Sequence, residues 1–264
     1  MRTTLIRAAT ALALVADAGG PALAAEGVEL PSQDWSFTGI FGSFDRAAAQ
    51  RGLQVYQENC SGCHSLDMVA YRSLAALGYG EEEIVAIAGE KSVIDGPDDE
   101  GEMFERPARP SDKFVAPFPN PQAAMASNGG AFPPDLSVIV KARKHGYDYL
   151  YALMIGYSED VPECLPIGDE EECIKLGDDA YYNEYFPGFQ IAMPPPLSED
   201  LVEYADGTPA TVEQMAHDVT VFLAWAGSPE MEERKRIGIA VMLFLIVFTG
   251  LLYAYKRKVW ADLH

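Results

Sequence analysis

The sequence predicts a mainly α-helical domain with long loop insertions, followed by one membrane-spanning helix. Three observations carry that expectation. Residues 44–59 set Ala49, Leu53, Tyr56 and Cys60 at successive spacings of four, three and four, which is one face of a helix. Further on, Thr211-Val212-Glu213-Gln214 fits a capping box, and Met215, Val219, Phe222, Leu223 and Ala226 follow at helical spacing until Gly227 and Pro229 stop the run. Last, residues 237–255 form a nineteen-residue run without a charge.

That run is long enough to span, because about 1.5 Å per residue nearly matches the roughly 30 Å hydrocarbon core. Eleven of its residues are Leu, Ile, Val or Phe. Tyr253, Tyr255 and Trp260 stand where an interfacial aromatic belt belongs, and Lys256-Arg257-Lys258 reads as a stop-transfer cluster. Arg234-Lys235-Arg236 flanks the other side, so basic residues alone do not set the orientation. The N-terminus does. Residues 1–25 carry Arg2 and Arg7, an apolar stretch interrupted by Asp17, and Pro21-Ala22-Leu23-Ala24-Ala25, whose small residues suit signal-peptidase cleavage.

The expected organisation is therefore a bacterial secretory signal at 1–25, a periplasmic domain at 26–229, a juxtamembrane segment at 230–236, the span at 237–255 and a cytoplasmic tail at 256–264 that ends on His264. Residues 26–229 suffice for one domain with a real core. Within it, 136–144 and 148–155 are shorter helical candidates, while 90–134, dense in Pro, Gly and Asp, reads mostly as loop.

The exported body is strongly acidic. Residues 26–229 hold 35 Asp and Glu against 11 Lys and Arg, so its charge is more negative than the −21 of the whole chain. The runs at Glu81-Glu82-Glu83, Asp98-Asp99-Glu100 and Asp178-Asp179, and the acids at 169–172, each read as solvated loop. Summed, they make a field that repels nucleic acid and speeds encounter with a basic soluble partner.

Chemistry enters at Cys60-Ser61-Gly62-Cys63-His64. Two thiols three apart with an adjacent imidazole is the pattern that holds a c-type haem through two thioether bonds and a histidine under the iron. A thioredoxin-like site needs a strand leading into the motif and a helix starting at it, whereas here a helix leads in. Zinc needs four ligands at paired spacing, and the other two cysteines lie about a hundred residues away. Cys164 and Cys173, in an acidic loop, read as a disulfide; closing a ten-residue ring restricts the unfolded chain by roughly 2.5 to 3 kcal/mol on the entropy model. Two free thiols is the alternative.

One histidine leaves the iron needing a sixth ligand or an open position. His145, His217 and His264 read as surface or cytoplasmic residues. Among Met68, Met103, Met125, Met154, Met193 and Met215, Met193 stands apart, because it sits in a proline-stiffened stretch, 185–197, that cannot be helical. Stiffness favours a held ligand over core filler.

These residues also carry a resemblance. Trp35-Ser36-Phe37, Phe44-Asp45-Arg46-Ala47-Ala48, Val69-Ala70-Tyr71-Arg72, Asp95-Gly96-Pro97, Gly101-Glu102-Met103-Phe104, Asn128-Gly129-Gly130-Ala131-Phe132-Pro133-Pro134-Asp135-Leu136-Ser137, the 187–197 loop and Asp206-Gly207-Thr208-Pro209-Ala210-Thr211 together resemble the cytochrome c1 family. The resemblance implies a c-type cytochrome fold with one C-terminal anchor, one haem c on Cys60 and Cys63, and His64 and Met193 as axial ligands. It implies that Arg143 pairs with a haem propionate, that Tyr149 lies near the haem, and that Asn128, Ala131, Pro134, Ile139 and Ile191 line the pocket. It further implies a subunit of a quinol–cytochrome c reductase, beside a cytochrome b, that takes an electron from a Rieske iron–sulfur protein and passes it to a soluble cytochrome c. No acid–base or nucleophilic catalytic residue is expected. A monohaem cytochrome of another oxidase or dehydrogenase, and a haem sensor with an open iron site, are the competing readings.

Overall fold

A computed structural model describes residues 29–167 and 170–261, without the side chains of 166–174. The expected signal peptide, His264 and the Cys173 side chain lie outside these described residues. Among the described residues seven α-helices dominate: α1 Arg46–Glu58, α2 Glu81–Gly89, α3 Pro121–Ser127, α4 Ile139–Ala142, α5 Gly146–Ile155, α6 Val212–Ala226 and α7 Met231–Trp260. Two 3-10 turns, Cys60–Gly62 and Tyr71–Leu77, supplement them. Strands occur as three separate antiparallel ribbons: β1 Ser92–Asp95 with β2 Phe104–Pro107, β3 Leu165–Ile167 with β4 Glu170–Ile174, and β5 Tyr181–Tyr182 with β6 Gln190–Ile191. The mainly α expectation holds.

Helix α1 starts where Asp45 accepts hydrogen bonds from Ala47 N and Ala48 N, satisfying amides that have no partner inside the helix. It buries Ala48, Ala49, Gly52, Leu53, Val55 and Tyr56. That face packs along α6, which buries Met215, Val219, Phe222, Leu223 and Trp225. Contact is closest at Gly52, where an added Cβ would lie 2.0 Å from Asp218 O and 2.8 Å from Phe222 Cβ. A glycine in mid-helix costs about 0.5–1 kcal/mol relative to alanine. Here it lets the two backbones meet.

The same interface holds a buried charge. The Asp218 carboxylate is fully enclosed and accepts from Arg51 Nε at 2.7 Å, Arg51 Nη2 at 3.1 Å and Gln214 Nε2 at 3.0 Å. Arg51 also reaches Asp206 at 2.9 Å, and the Asp218 hydrogen bond holds its guanidinium pKa above the ordinary value. Gln214 was expected to close a capping box. Only half of that box forms, with Thr211 Oγ1 accepting from Gln214 N, because the glutamine side chain is spent on Asp218.

Two expectations need correction. Glu81-Glu82-Glu83 is not loop: it is the first turn of α2, where three carboxylates meet the positive helix end and Glu83 Oε2 accepts from Gly80 N at 2.6 Å. Residues 90–134 are mostly loop, as expected, interrupted by α3 and by the β1–β2 ribbon, with Arg106 bridging Asp95 and Asp112. His217 is no surface residue. It is half-buried, and its ring stacks on Trp35 at 5.2 Å.

Helix α7 is thirty residues of unbroken helix, long and apolar enough to cross a membrane, and from Arg236 onward its side chains are exposed. The juxtamembrane stretch 230–236 forms its cap and opening turns. Those turns are fastened to the domain. Glu232 takes a bidentate pair from Arg46, Nη1 to Oε1 at 2.7 Å and Nη2 to Oε2 at 2.6 Å, and also accepts from Phe44 N at 2.7 Å. Lys235 Nζ donates to Phe37 O and Gly42 O at 2.8 and 2.9 Å. One helix, α1, is thereby tied to the anchor at its start and delivers the cysteines at its end.

Removing one side of the enclosed pair should be costly. Arg51→Met strands a buried carboxylate and is expected to destabilise the domain by about 3–5 kcal/mol in chemical denaturation, while the double variant Arg51→Met, Asp218→Leu recovers most of that loss. A single variant as stable as wild type contradicts this reading of the interface.

Candidate functional site

Where α1 ends, the chain tightens into the 3-10 turn Cys60–Gly62, and the amides of Cys63 and His64 both bond to Cys60 O, at 3.1 and 2.9 Å. This turn sets the two cysteines and the histidine on successive corners. Ser61 Oγ caps back to Gln57 O at 2.8 Å, and Tyr56 OH donates to His64 O at 3.2 Å. Burial and the neighbouring Cys63 push the Cys60 thiol up to about 12. Such a thiol is no poised thiolate nucleophile, which is what a thioredoxin-like site needs. Among the described residues no three His, Cys, Asp or Glu side chains converge to hold a metal ion, so the donor set of a zinc site is lacking.

His64 faces a second loop. Its Nδ1 lies 2.8 Å from Pro134 O. A carbonyl only accepts, so Nδ1 carries the proton and Nε2 presents its lone pair, the tautomer a metal-binding imidazole requires. Burial depresses the His64 pKa, against the raising effects of the Pro134 bond and Asp135, and so favours the neutral ring.

Asp135 organises this contact. Its Oδ2 accepts from Ser65 Oγ and Asp67 N, both at 2.8 Å, and its Oδ1 accepts from Ser137 N at 2.8 Å. Ser137, fully buried, takes Met68 N on its hydroxyl at 3.0 Å, while Leu136 N bonds to Ser65 O at 2.9 Å. Desolvation works to raise the Asp135 carboxyl, but the donors from Asp67, Ser137 and Ser65 outweigh it and hold the group below the usual carboxylate range. Segments 64–68 and 134–137 are thus stapled around one ionised carboxylate.

A third wall is the loop carrying Met193. It leaves the β5–β6 ribbon, which is braced by the buried Asn183: its Nδ2 donates to Leu153 O at 2.8 Å, and its Oδ1 accepts from Tyr185 N and Phe186 N. Beyond β6 the chain is irregular through Met193 and its prolines. Tyr157 OH donates to Met193 O at 3.1 Å, and Asn59 Nδ2 donates to Pro196 O. Asn59 immediately precedes Cys60, so the Met193 loop and the cysteine turn are joined by one side chain.

The remaining predicted residues are spread over several elements. Asn128 caps α3 and bonds to Ala124 O at 2.7 Å; Ala131 and Pro134 lie on the loop that faces His64. Ile139 opens α4 and is buried; Ile191 ends β6, half-buried, two residues before Met193. Arg143 is exposed at the end of α4, where its Nη1 donates to Ala142 O at 3.3 Å, and burial raises the pKa of Tyr149 on α5 against the lowering effect of the Arg143 charge. Cys164 is disulfide-bonded, and the backbone pairs Pro166 with Cys173 across the β3–β4 ribbon.

Asp135, Ser65, Ser137, Asn59 and Tyr157 had no assigned role from sequence. A signal existed for the first three, because Ser-x-Asp and Asp-x-Ser segments are prone to side chain to backbone bonding. Asn59 and Tyr157 act across the fold on distant carbonyls, and no local pattern announces that.

This arrangement is what a covalently held haem requires: two thiols and an imidazole of fixed tautomer on a short turn, faced by loops braced from elsewhere in the domain. The comparisons agree. A cytochrome c1 family model matches residues 35–263. The chain belongs to the cytochrome c1 family. It is 48% identical over 269 residues to cytochrome c1 of Rhodospirillum rubrum, covering 99% of both chains. It is 49% identical over 255 residues to the cytochrome b/c1 protein of Bradyrhizobium diazoefficiens, covering 89% of this chain and 36% of that one. The mitochondrial cytochrome c1 haem protein of Schizosaccharomyces pombe is 44% identical over 257 residues, 96% of this chain and 80% of the other. As a cytochrome c1 family member the chain carries haem c bound covalently through Cys60 and Cys63, and it is the electron-transfer subunit of a cytochrome bc1 complex.

Proposed function

We propose that this chain relays single electrons from a Rieske iron–sulfur protein to a basic soluble cytochrome c during quinol oxidation, standing beside a cytochrome b in the membrane as a subunit of a quinol–cytochrome c reductase. The observation that carries this reading is the convergence of the His64 turn and the Met193 loop, joined through Asn59 and Pro196. In this reading His64 and Met193 would hold the haem iron. The haem would supply one reversible one-electron site there, and His/Met ligation would raise its potential.

Every other task belongs to the protein. His64 is held in one tautomer by Pro134, and the Met193 backbone is held by Tyr157, so the coordination sphere needs little rearrangement when charge changes. Asn128, Ala131, Pro134, Ile139 and Ile191 wall the group off from water. Arg143, exposed at the end of α4, offers a guanidinium fork of the geometry that suits a haem propionate.

Topology follows the same logic. The Cys164 disulfide favours an oxidising compartment for the domain, and since α7 carries three basic residues at each end of its apolar run, it is this disulfide rather than the basic flanks that supports the orientation. In this reading the haem domain, residues 26–229, lies on the periplasmic side of a bacterial inner membrane, with residues 1–25 as its signal peptide, 237–255 as the span and 256–264 as the cytoplasmic tail. The Glu232–Arg46 and Lys235 contacts then fix the direction in which the haem faces the surface. The acidic body, 35 Asp and Glu against 11 Lys and Arg over 26–229, provides long-range attraction to a basic acceptor.

Met193→Lys is expected to keep haem covalently attached, lower its midpoint potential and abolish reduction by the Rieske partner; an unchanged redox titration moves the ligand role to another residue. Electron transfer from the wild-type complex to a basic cytochrome c should slow steeply as ionic strength rises, since the Debye length falls from about 10 Å at 0.1 M to about 3 Å at 1 M. Stopped-flow rates that stay flat across that range contradict steering by the acidic body.

A further inference from the structure

Beside the root of the anchor, residues 38–43 form a short loop with an unusual tip. Ile40 and Phe41 are adjacent and 69% and 87% exposed, whereas the residues at the loop's base, Trp35, Phe37 and Phe44, are 4%, 2% and 5% exposed. The loop is no loose strap. Ser43 N bonds to Ser36 O and Thr38 N to Trp35 O, both at 3.1 Å, and Thr38 Oγ1 adds a bond to Trp35 O at 2.9 Å. Gly39 takes a φ of +71°, and an added Cβ on Gly42 would lie 1.9 Å from Thr38 O. The two apolar side chains are thus presented outward by a rigid base.

Its position gives that presentation a purpose. Lys235 Nζ ties both shoulders of the loop, Phe37 O and Gly42 O, to α7. Across a groove from Ile40, Phe41, Gly42 and Ser43 stand Glu232, Lys235, Arg236 and Ile239. Residues 232–239 are where α7 passes from charged turns into its apolar run, a rise of about 10 Å at 1.5 Å per residue. The loop tip therefore stands level with the point where the span begins. Scattered exposed apolar residues need no explanation. These two are continuous with the exposed apolar surface of the span itself, through Ile239. Arg236 is 80% exposed on its side chain and only 3.7 Å from its nearest acid, Glu233, so its guanidinium is available at the same level.

We propose that the 38–43 loop is a second membrane contact: Ile40 and Phe41 insert among the phospholipid acyl chains just beneath the headgroups of the outer leaflet, and Arg236 pairs with a lipid phosphate beside them. The inference rests on the reading that α7 spans the bilayer. A helix alone leaves rotation about its own axis open. A rigid apolar finger at its side removes that freedom and fixes which face of the haem domain looks along the membrane.

The test uses the assembled complex, otherwise free of reactive thiols, reconstituted in phospholipid bilayers, with a nitroxide on Phe41→Cys or, separately, on Ile246→Cys in mid-span. For the Phe41→Cys label, collision with dissolved oxygen is expected to exceed collision with a neutral water-soluble nickel chelate several-fold, at a depth shallower than that of Ile246→Cys. A water-like label at 41 with a lipid-like label at 246 overturns the loop proposal alone. A label at 41 shielded from both reagents overturns it in favour of a protein neighbour. A water-like label at 246 overturns the spanning reading, and this proposal with it.

Discussion

The hydrogen bond from the His64 imidazole to the Pro134 carbonyl is the constraint on which the rest of the site depends. It selects the tautomer, and it turns a flexible ring into a donor with one direction. It works only if the carbonyl is held in place. That is the task of Asp135, next in sequence, whose carboxylate gathers Ser65, Asp67 and Ser137 and so fixes the two loops on either side of the bond. A partly buried ionised carboxylate is costly unless it is satisfied. Three donors within 2.8 Å satisfy it.

From this bond the architecture can be read outward. α1 must end where the cysteine turn begins, so its packing on α6 positions the whole motif. Gly52 allows that packing to be close, and the Arg51–Asp218 pair fixes its register. At its other end α1 is held by Glu232 of the anchor helix. A rigid path of hydrogen bonds and one helix therefore runs from the membrane surface to His64. For an electron carrier this matters, because transfer falls off with distance and an unsteady mount would waste encounters with its partners.

Much of this was legible in the sequence, for identifiable reasons. The haem motif is local, so five consecutive residues announced it. α1 and α6 were legible because each carries an apolar periodicity, and the span because its nineteen residues carry no charge. Other features depend on contacts between distant segments. The acidic run 81–83 read as loop because charge suggested solvent, yet the same charges suit a helix N-terminus. The β1–β2 ribbon hid among prolines and glycines and is held by Arg106, whose partners at 95 and 112 flank it in sequence without any strand-like alternation. His217 read as exposed because only its own helix was considered; Trp35, from 182 residues away in the chain, covers it. Within the site, the proline-stiffened stretch singled out Met193 and resemblance supplied the pocket residues, but neither pointed to Asp135, whose role exists only once 64–68 and 134–137 are side by side.

The claim that an ionised Asp135 seats the Pro134 carbonyl on His64 is tested most directly by the midpoint potential of Asp135→Asn in the assembled complex. The near-isosteric change removes one negative charge and weakens the hold on the histidine's acceptor. Both effects favour the reduced state, so the potential should rise, by an amount on the order of tens of millivolts. A variant that retains covalent haem and titrates at the wild-type potential contradicts the account.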